Sequence, residues 1–135
     1  MATDGRIALY LAARYQRRVE LASYMLQLEK AGFIVTSRWL RGFHEDDGKL
    51  TNARRSKYAK EDLADIDAAD FFIVFTEEPF SERSTGGKFV ELGYAYAKDK
   101  AIIIVGPYEN IFCCIDEFER YPNVEEFMRS WIGYC

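Results

Sequence analysis

Apolar residues fall in short blocks separated by longer stretches of mixed character. Arg6 to Ala12 is a compact apolar run of strand formers and predicts a buried first strand. From Gln16 to Lys30 the apolar positions Val19, Leu21, Ala22, Met25, Leu26 and Leu28 recur at helical spacing, and Gly32 follows as a stop signal. Phe33 to Trp39 predicts a second strand. Arg41 to Arg55 is polar and glycine-containing, so a long loop is expected, of the kind that often carries function. Ser56 to Ala69 predicts a second helix with Tyr58, Leu63 and Ile66 facing inward. Asp70 to Phe75 is a third strand, apolar on both faces. A loop from Thr76 to Thr85 leads into Gly86-Gly87, and Gly87 to Lys98 is a third helix. Ala101 to Gly106 is a fourth strand, Asn110 to Glu119 holds a short helical turn, Phe118 to Tyr121 is a short fifth strand, and Val124 to Trp131 is a closing helix.

Strands that are apolar on both faces must be covered on both sides. Their alternation with helices predicts an α/β fold of three layers, flavodoxin- or Rossmann-like, with a largely parallel sheet of four to five strands. Ligands in such sheets bind at the carboxyl ends of the strands, near the point where strand order reverses. The segments Ala13 to Arg18, Thr76 to Gly87 and Gly106 to Ile111 are therefore expected to face a site. No repeat or linker is visible, and 135 residues suit one domain spanning 1–135.

Bulk properties narrow the functions. Apolar residues make up 49% and charged residues 30%, an ordinary globular balance. A net charge of -4 gives no electrostatic ground for binding a nucleic-acid polymer. The first residues lack the charged-then-apolar plan of a signal peptide, and no apolar run is long enough to span a bilayer. Cys113, Cys114 and Cys135 have no metal-site spacing, which suits incidental thiols in the cytoplasm. His44 is the single histidine, so neither a zinc site nor a Ser-His-Asp system is expected. No Walker loop or dinucleotide glycine fingerprint is present, and no cofactor is expected.

Four groups of residues could carry chemistry. In Ser84 to Ala95, Gly86 and Gly87 precede a helix that bears Lys88 and Glu91, with Gly93 offering close approach. A glutamate in the first turn would be favoured as the carboxylate by the helix dipole. Such a group is either a nucleophile for an anomeric carbon or a partner of the dipole. Arg14, Arg17 and Arg18 enter the first helix and form either a phosphate site or a solvated patch. Arg83 and Lys88 are further candidates for phosphate. Asp62, Asp65, Asp67 and Asp70 form an acidic series, of which Asp62 and Asp65 share one side of a helix. Aromatic residues reach 16%; Tyr10, Trp39 and Phe43 lie near strand ends and could stack on a base.

Three segments together carry a resemblance: Leu9 to Tyr15, Asp62 to Asp70, and Gly86 to Ala95 with Lys100 beyond. In order and spacing the chain resembles the nucleoside 2-deoxyribosyltransferase superfamily, which includes 2′-deoxynucleoside 5′-monophosphate N-hydrolases and cytidylate N-hydrolases. The resemblance covers nearly the whole chain. It implies that Glu91 attacks C1′ of the sugar, expels the base and forms a glycosyl-enzyme intermediate, resolved by water or by a second base. It implies that Asp62 orients the nucleoside, that Tyr10 lines the pocket, and that the segment Arg14 to Arg18 lies where a 5′-phosphate is held, with Ala13, Arg14 and Arg17 as substrate-binding residues. It implies a homodimer or larger assembly in which Asn110 reaches a neighbouring subunit's site. The chain departs from the hydrolases after the first strand, where Ala13-Arg14-Tyr15-Gln16-Arg17 replaces a Gly-Ser-Ile-Arg type of loop. A second function remains open on these residues, a module that binds a nucleotide or a nucleotide-derived signal without turnover.

Overall fold

The computed structural model describes residues 4–41, 49–83 and 86–133. Five strands, β1 (Ala8–Ala12), β2 (Ile34–Val35), β3 (Phe71–Phe75), β4 (Ala101–Val105) and β5 (Glu119–Tyr121), form one sheet in the order β2-β1-β3-β4-β5. Every pairing is parallel. Four α-helices cover it: α1 (Arg18–Lys30), α2 (Asn52–Asp67), α3 (Gly87–Ala97) and α4 (Val124–Ile132). The three-layer α/β arrangement expected from the alternation of elements is the one observed.

The central strands are apolar on both faces because both faces are covered. Leu9, Leu11, Ile73 and Phe75 point toward α1 and α4, where Leu21, Met25, Leu28 and Phe127 complete one core. Tyr10, Ala12, Phe72 and Val74 point the other way and meet Ile66 of α2 and Leu92 and Ala95 of α3. The period-two alternation of β1 and β3 thus divides the side chains between two cores.

The boundaries depart from the sequence pattern at two places that shape the site. The second strand was expected over Phe33 to Trp39 but pairs only at Ile34–Val35 and gives way to a 3-10 turn at Arg38–Leu40. Side chains take over the pairing there. Ser37 Oγ accepts from the Leu11 amide at 2.8 Å, and Trp39 Nε1 donates to the Leu11 carbonyl at 2.9 Å. The end of β1 is satisfied without a longer β2, which leaves room beside it. The expected loop over Arg41 to Arg55 also ends early. Thr51 accepts from the Arg54 amide and caps α2, which begins at Asn52. That extra turn brings Arg55 to the site, beside Tyr58. The first helix likewise begins with a 3-10 turn at Tyr15–Arg17 before α1.

The carboxyl ends of β3 and β4 are locked together. Thr76 Oγ1 donates to the Pro107 carbonyl at 2.6 Å, and Gly106 has φ +119 with its Cα against Thr76. A Cβ at Gly106 would lie 2.7 Å from Thr76 Oγ1, so this position requires glycine on two counts.

Candidate active site

The strand order reverses between β1 and β3, since β2 lies on one side of β1 and β3 on the other. A cleft of about 510 Å³ opens there. Its walls come from the segment after β1 (Ala13, Arg14, Tyr15, Gln16), from Trp39, from α2 (Arg55, Tyr58, Asp62) and from the start of α3 (Gly87, Glu91). The cleft lies at the switch point, as expected, but of the three segments expected to face it Ala13 to Arg18 contributes four residues, Thr76 to Gly87 only Gly87, and Gly106 to Ile111 none.

The floor is a carboxylate pair. Glu91 on α3 and Asp62 on α2 hydrogen-bond to each other across the gap between their helices. Beneath them the Tyr10 hydroxyl donates to Glu91 Oε2 at 3.2 Å. Burial pushes Glu91 up to about 8, and the nearby charge of Asp62 and their shared hydrogen bond add to the rise. Burial also raises Asp62 to about 6, assisted by the charges of Asp65 and Glu61 and opposed by its bond to Glu91 and by Arg38. Two carboxylates in contact and away from water cannot both ionise cheaply, so they hold a proton between them.

This reverses one sequence expectation. Glu91 was placed in the first turn, where the helix dipole favours the ionised form. It is the fifth residue of α3, whose first turn contains no acidic residue. The dipole fades within the first turn, and loss of water outweighs it. Two glycine arguments also change. Gly86 has ordinary helical angles, and added Cβ atoms at Gly86, Gly87 and Gly93 would meet nothing within 4 Å. Gly93 therefore marks no close approach within the chain.

Tyr10 borders the cleft, as expected, but from beneath and not as a stacking surface. It has no exposed surface, and its ring stacks on Phe72 with centroids 5.6 Å apart. It supports Glu91 from below and cannot stack on a ligand. Burial, followed by the charges of Glu91 and Asp62, pushes its phenol well above the ordinary range, so it remains a donor. Trp39 does line the cleft, as expected, and Tyr58 joins it. Phe43 and His44 lie outside the described residues.

The cationic candidates separate. Arg14 lies on the cleft wall; its nearest acidic contact is Glu77 at 3.6 Å, and its buried Nε has no hydrogen-bond partner among the described residues. Arg17 instead binds both Glu20 oxygens, Glu77 Oε2 at 3.0 Å and the Thr76 carbonyl, and does not border the cleft. Its guanidinium is consumed by structure. Lys88 borders the cleft, but its side chain has no exposed surface and its ammonium pairs with Glu109 at 3.0 Å. Gly86 precedes the helix without lining the cleft, and Asn110 caps the 3-10 turn Ile111–Cys114 by accepting from the Phe112 amide.

The acidic series separates too. Asp65 is buried against Arg38, with Nε to Oδ1 at 2.9 Å. Asp67 accepts from the Tyr94 hydroxyl, and Asp70 accepts from the Ala8 amide at 2.8 Å. Only Asp62 of the four borders the cleft. Sequence pattern missed Arg55, whose helix position depended on the Thr51 cap, and took Tyr58 for an inward-facing helix residue without assigning it to the cleft. It also missed Glu109, which lies in an ordinary-looking loop and is identifiable only once Lys88 is seen to be buried.

Among solved structures the chain is similar to Clostridium botulinum CMP N-glycosidase, with 22% identity and a TM-score of 0.56 over 94% of this chain and 99% of that one. It is also similar to the 2-deoxyribosyltransferase of the psychrotolerant bacterium Bacillus psychrosaccharolyticus, with 21% identity and a TM-score of 0.65 over 84% of this chain and 85% of that one. No protein-family model and no curated protein sequence matches the chain. At these identities the likeness establishes a shared fold. That fold is the one the sequence resemblance implied.

Proposed function

We propose that the chain cleaves the N-glycosidic bond of a nucleoside 5′-monophosphate or (deoxy)nucleoside, with Glu91 as nucleophile. The observation that carries this reading is the Glu91–Asp62 pair on the floor of an open cleft, supported by the Tyr10 hydroxyl. A buried carboxyl pair does little for stability and much for proton handling. The two solved structures of similar fold are an N-glycosidase and a deoxyribosyltransferase, which supports the same reaction class.

In this mechanism the shared proton passes to Asp62 and leaves Glu91 as the carboxylate, which the Tyr10 hydroxyl favours. Glu91 attacks C1′; the C1′–N bond breaks with its electrons passing to the base, which takes the proton from Asp62. Water, or a second base, then attacks C1′ of the glycosyl ester. Asp62 accepts the proton it loses, and Glu91 leaves as a carboxylate. Trp39 and Tyr58 offer flat apolar walls for a base. Arg14 supplies the cation for a 5′-phosphate, because it lies on the cleft wall and its Nε, 3.6 Å from Glu77, makes no hydrogen bond among the described residues. Copies of the chain associate in this proposal, with Asn110 reaching the neighbouring site.

Incubation with a panel of ribo- and deoxynucleotides, followed by chromatography for free base, tests the reading. Release is expected from wild type, with a fall of several orders of magnitude in Glu91→Gln. Absence of release from every substrate by folded protein sinks it. Calorimetric binding without turnover would instead favour a nucleotide-binding module.

A further inference from the structure

Among the described residues the Lys88–Glu109 pair is unlike the other ion pairs, since both side chains have no exposed surface. Withdrawing two charges from water costs several kcal/mol per ion, and the pair recovers that only with good geometry. Apolar side chains of similar volume would serve stability as well. What the pair specifies is position.

Three segments meet at Glu109. Its Oε2 takes the Lys88 ammonium at 3.0 Å, and its Oε1 accepts from the Glu77 amide at 2.7 Å. Lys88 is the second residue of α3, three before Glu91 and thus on the same side of the helix. Glu77 follows β3, and its carboxylate holds Arg17 at 3.0 Å and faces Arg14 at 3.6 Å. One carboxylate therefore links the helix bearing Glu91 to the wall bearing Arg14.

The start of α3 needs such a tie. Gly86 makes no side-chain cap bond, and neither Gly86 nor Gly87 has a side chain to pack. Two glycines lose much conformational freedom on ordering, so this turn is prone to fray unless held from the side.

We propose that Glu109, acting through Lys88, is a positioning residue that fixes Glu91 relative to the arginine wall of the cleft. The inference rests on Glu91 being the nucleophile. Misplacement of a reacting group by about 1 Å can cost on the order of a hundredfold in rate.

The test is the double variant K88M/E109Q. Methionine fills the lysine stem, and glutamine keeps an acceptor for the Glu77 amide, so no buried charge is stranded. With base release as the assay, kcat should fall about ten- to a hundredfold while KM stays within about threefold. E109D keeps the pair but shortens its reach, and should give an intermediate kcat. A kcat within twofold of wild type in K88M/E109Q overturns the proposal. If the double variant does not fold, an unchanged kcat in folded E109D does the same. If wild type itself releases no base, the functional reading fails separately. Carbon-13 titration of the Glu91 carboxyl then tests position alone. In K88M/E109Q its midpoint should drop toward the ordinary glutamate range as the group regains water and leaves Asp62, which outweighs loss of the Tyr10 bond; an unmoved midpoint overturns the proposal.

Discussion

Glu91 is raised to about 8 by burial and by the charge of Asp62, and Asp62 to about 6 by burial and by the charges of Asp65 and Glu61, against its bond to Glu91. The sign of the pH dependence follows. Below about 6 a second proton enters the pair and Glu91 is no longer available as a carboxylate. Above about 8 the last proton leaves and Asp62 has none to give. Base release should therefore follow a bell with limbs near these values, which belong to the pair rather than to either residue. A rate that keeps rising through pH 9 would contradict a shared proton. The arginines allow a second contrast at the same scale. Arg14→Ala should raise KM for a nucleoside monophosphate about ten- to a hundredfold and leave the matching nucleoside nearly unaffected. Arg17→Ala removes contacts to Glu20, Glu77 and Thr76, so it should lower the melting temperature instead. Equal effects of both variants on phosphate preference would refute this division. Residue type alone made Glu91 and Arg14 candidates, yet equally Arg17 and Lys88. What distinguishes them is where the carboxylates Glu77 and Glu109 stand, and these lie 60 and 21 residues away along the chain.

The elements were more legible than their edges. β1, β3 and β4 are apolar on both faces because two cores claim alternate residues, and that requirement is written directly in the sequence. β2 was overextended because Ser37 and Trp39 look like strand residues, whereas their side chains bond to Leu11 in place of a backbone ladder. The start of α2 was hidden by the polarity of its first turns, which face solvent, although the Thr51 cap was available as a signal. The β3–β4 junction provides a test at this scale. Gly106→Ala places a Cβ 2.7 Å from Thr76 Oγ1 and forces an alanine to φ +119. Both effects oppose the fold, and the change should cost on the order of 2–4 kcal/mol in urea unfolding. Gly93→Ala meets nothing within 4 Å and should be neutral or slightly stabilising, since it lies inside α3. A loss at Gly93 comparable to that at Gly106 would mean that a second copy packs against α3.

At the scale of the whole molecule, one chain supplies a floor, an arginine and two aromatic walls, but Asn110 is turned to its own 3-10 turn, away from the cleft. Beside it Tyr108, Ile111 and Phe112 are 57%, 78% and 52% exposed, so the segment after β4 presents apolar surface next to an amide. A second copy seated there would bury those side chains and bring Asn110 to a neighbour's cleft. In a two-fold dimer each site would then combine Glu91 of one subunit with Asn110 of the other. Subunit mixing tests this without knowledge of the substrate's exact base. Glu91→Ala and Asn110→Ala should each be inactive or nearly so. Co-refolded in equal amounts, half of the dimers are mixed, and each mixed dimer holds one site with both native residues. About a quarter of wild-type activity should return. Full activity in Asn110→Ala alone, or no recovery on mixing, would confine the site to a single chain.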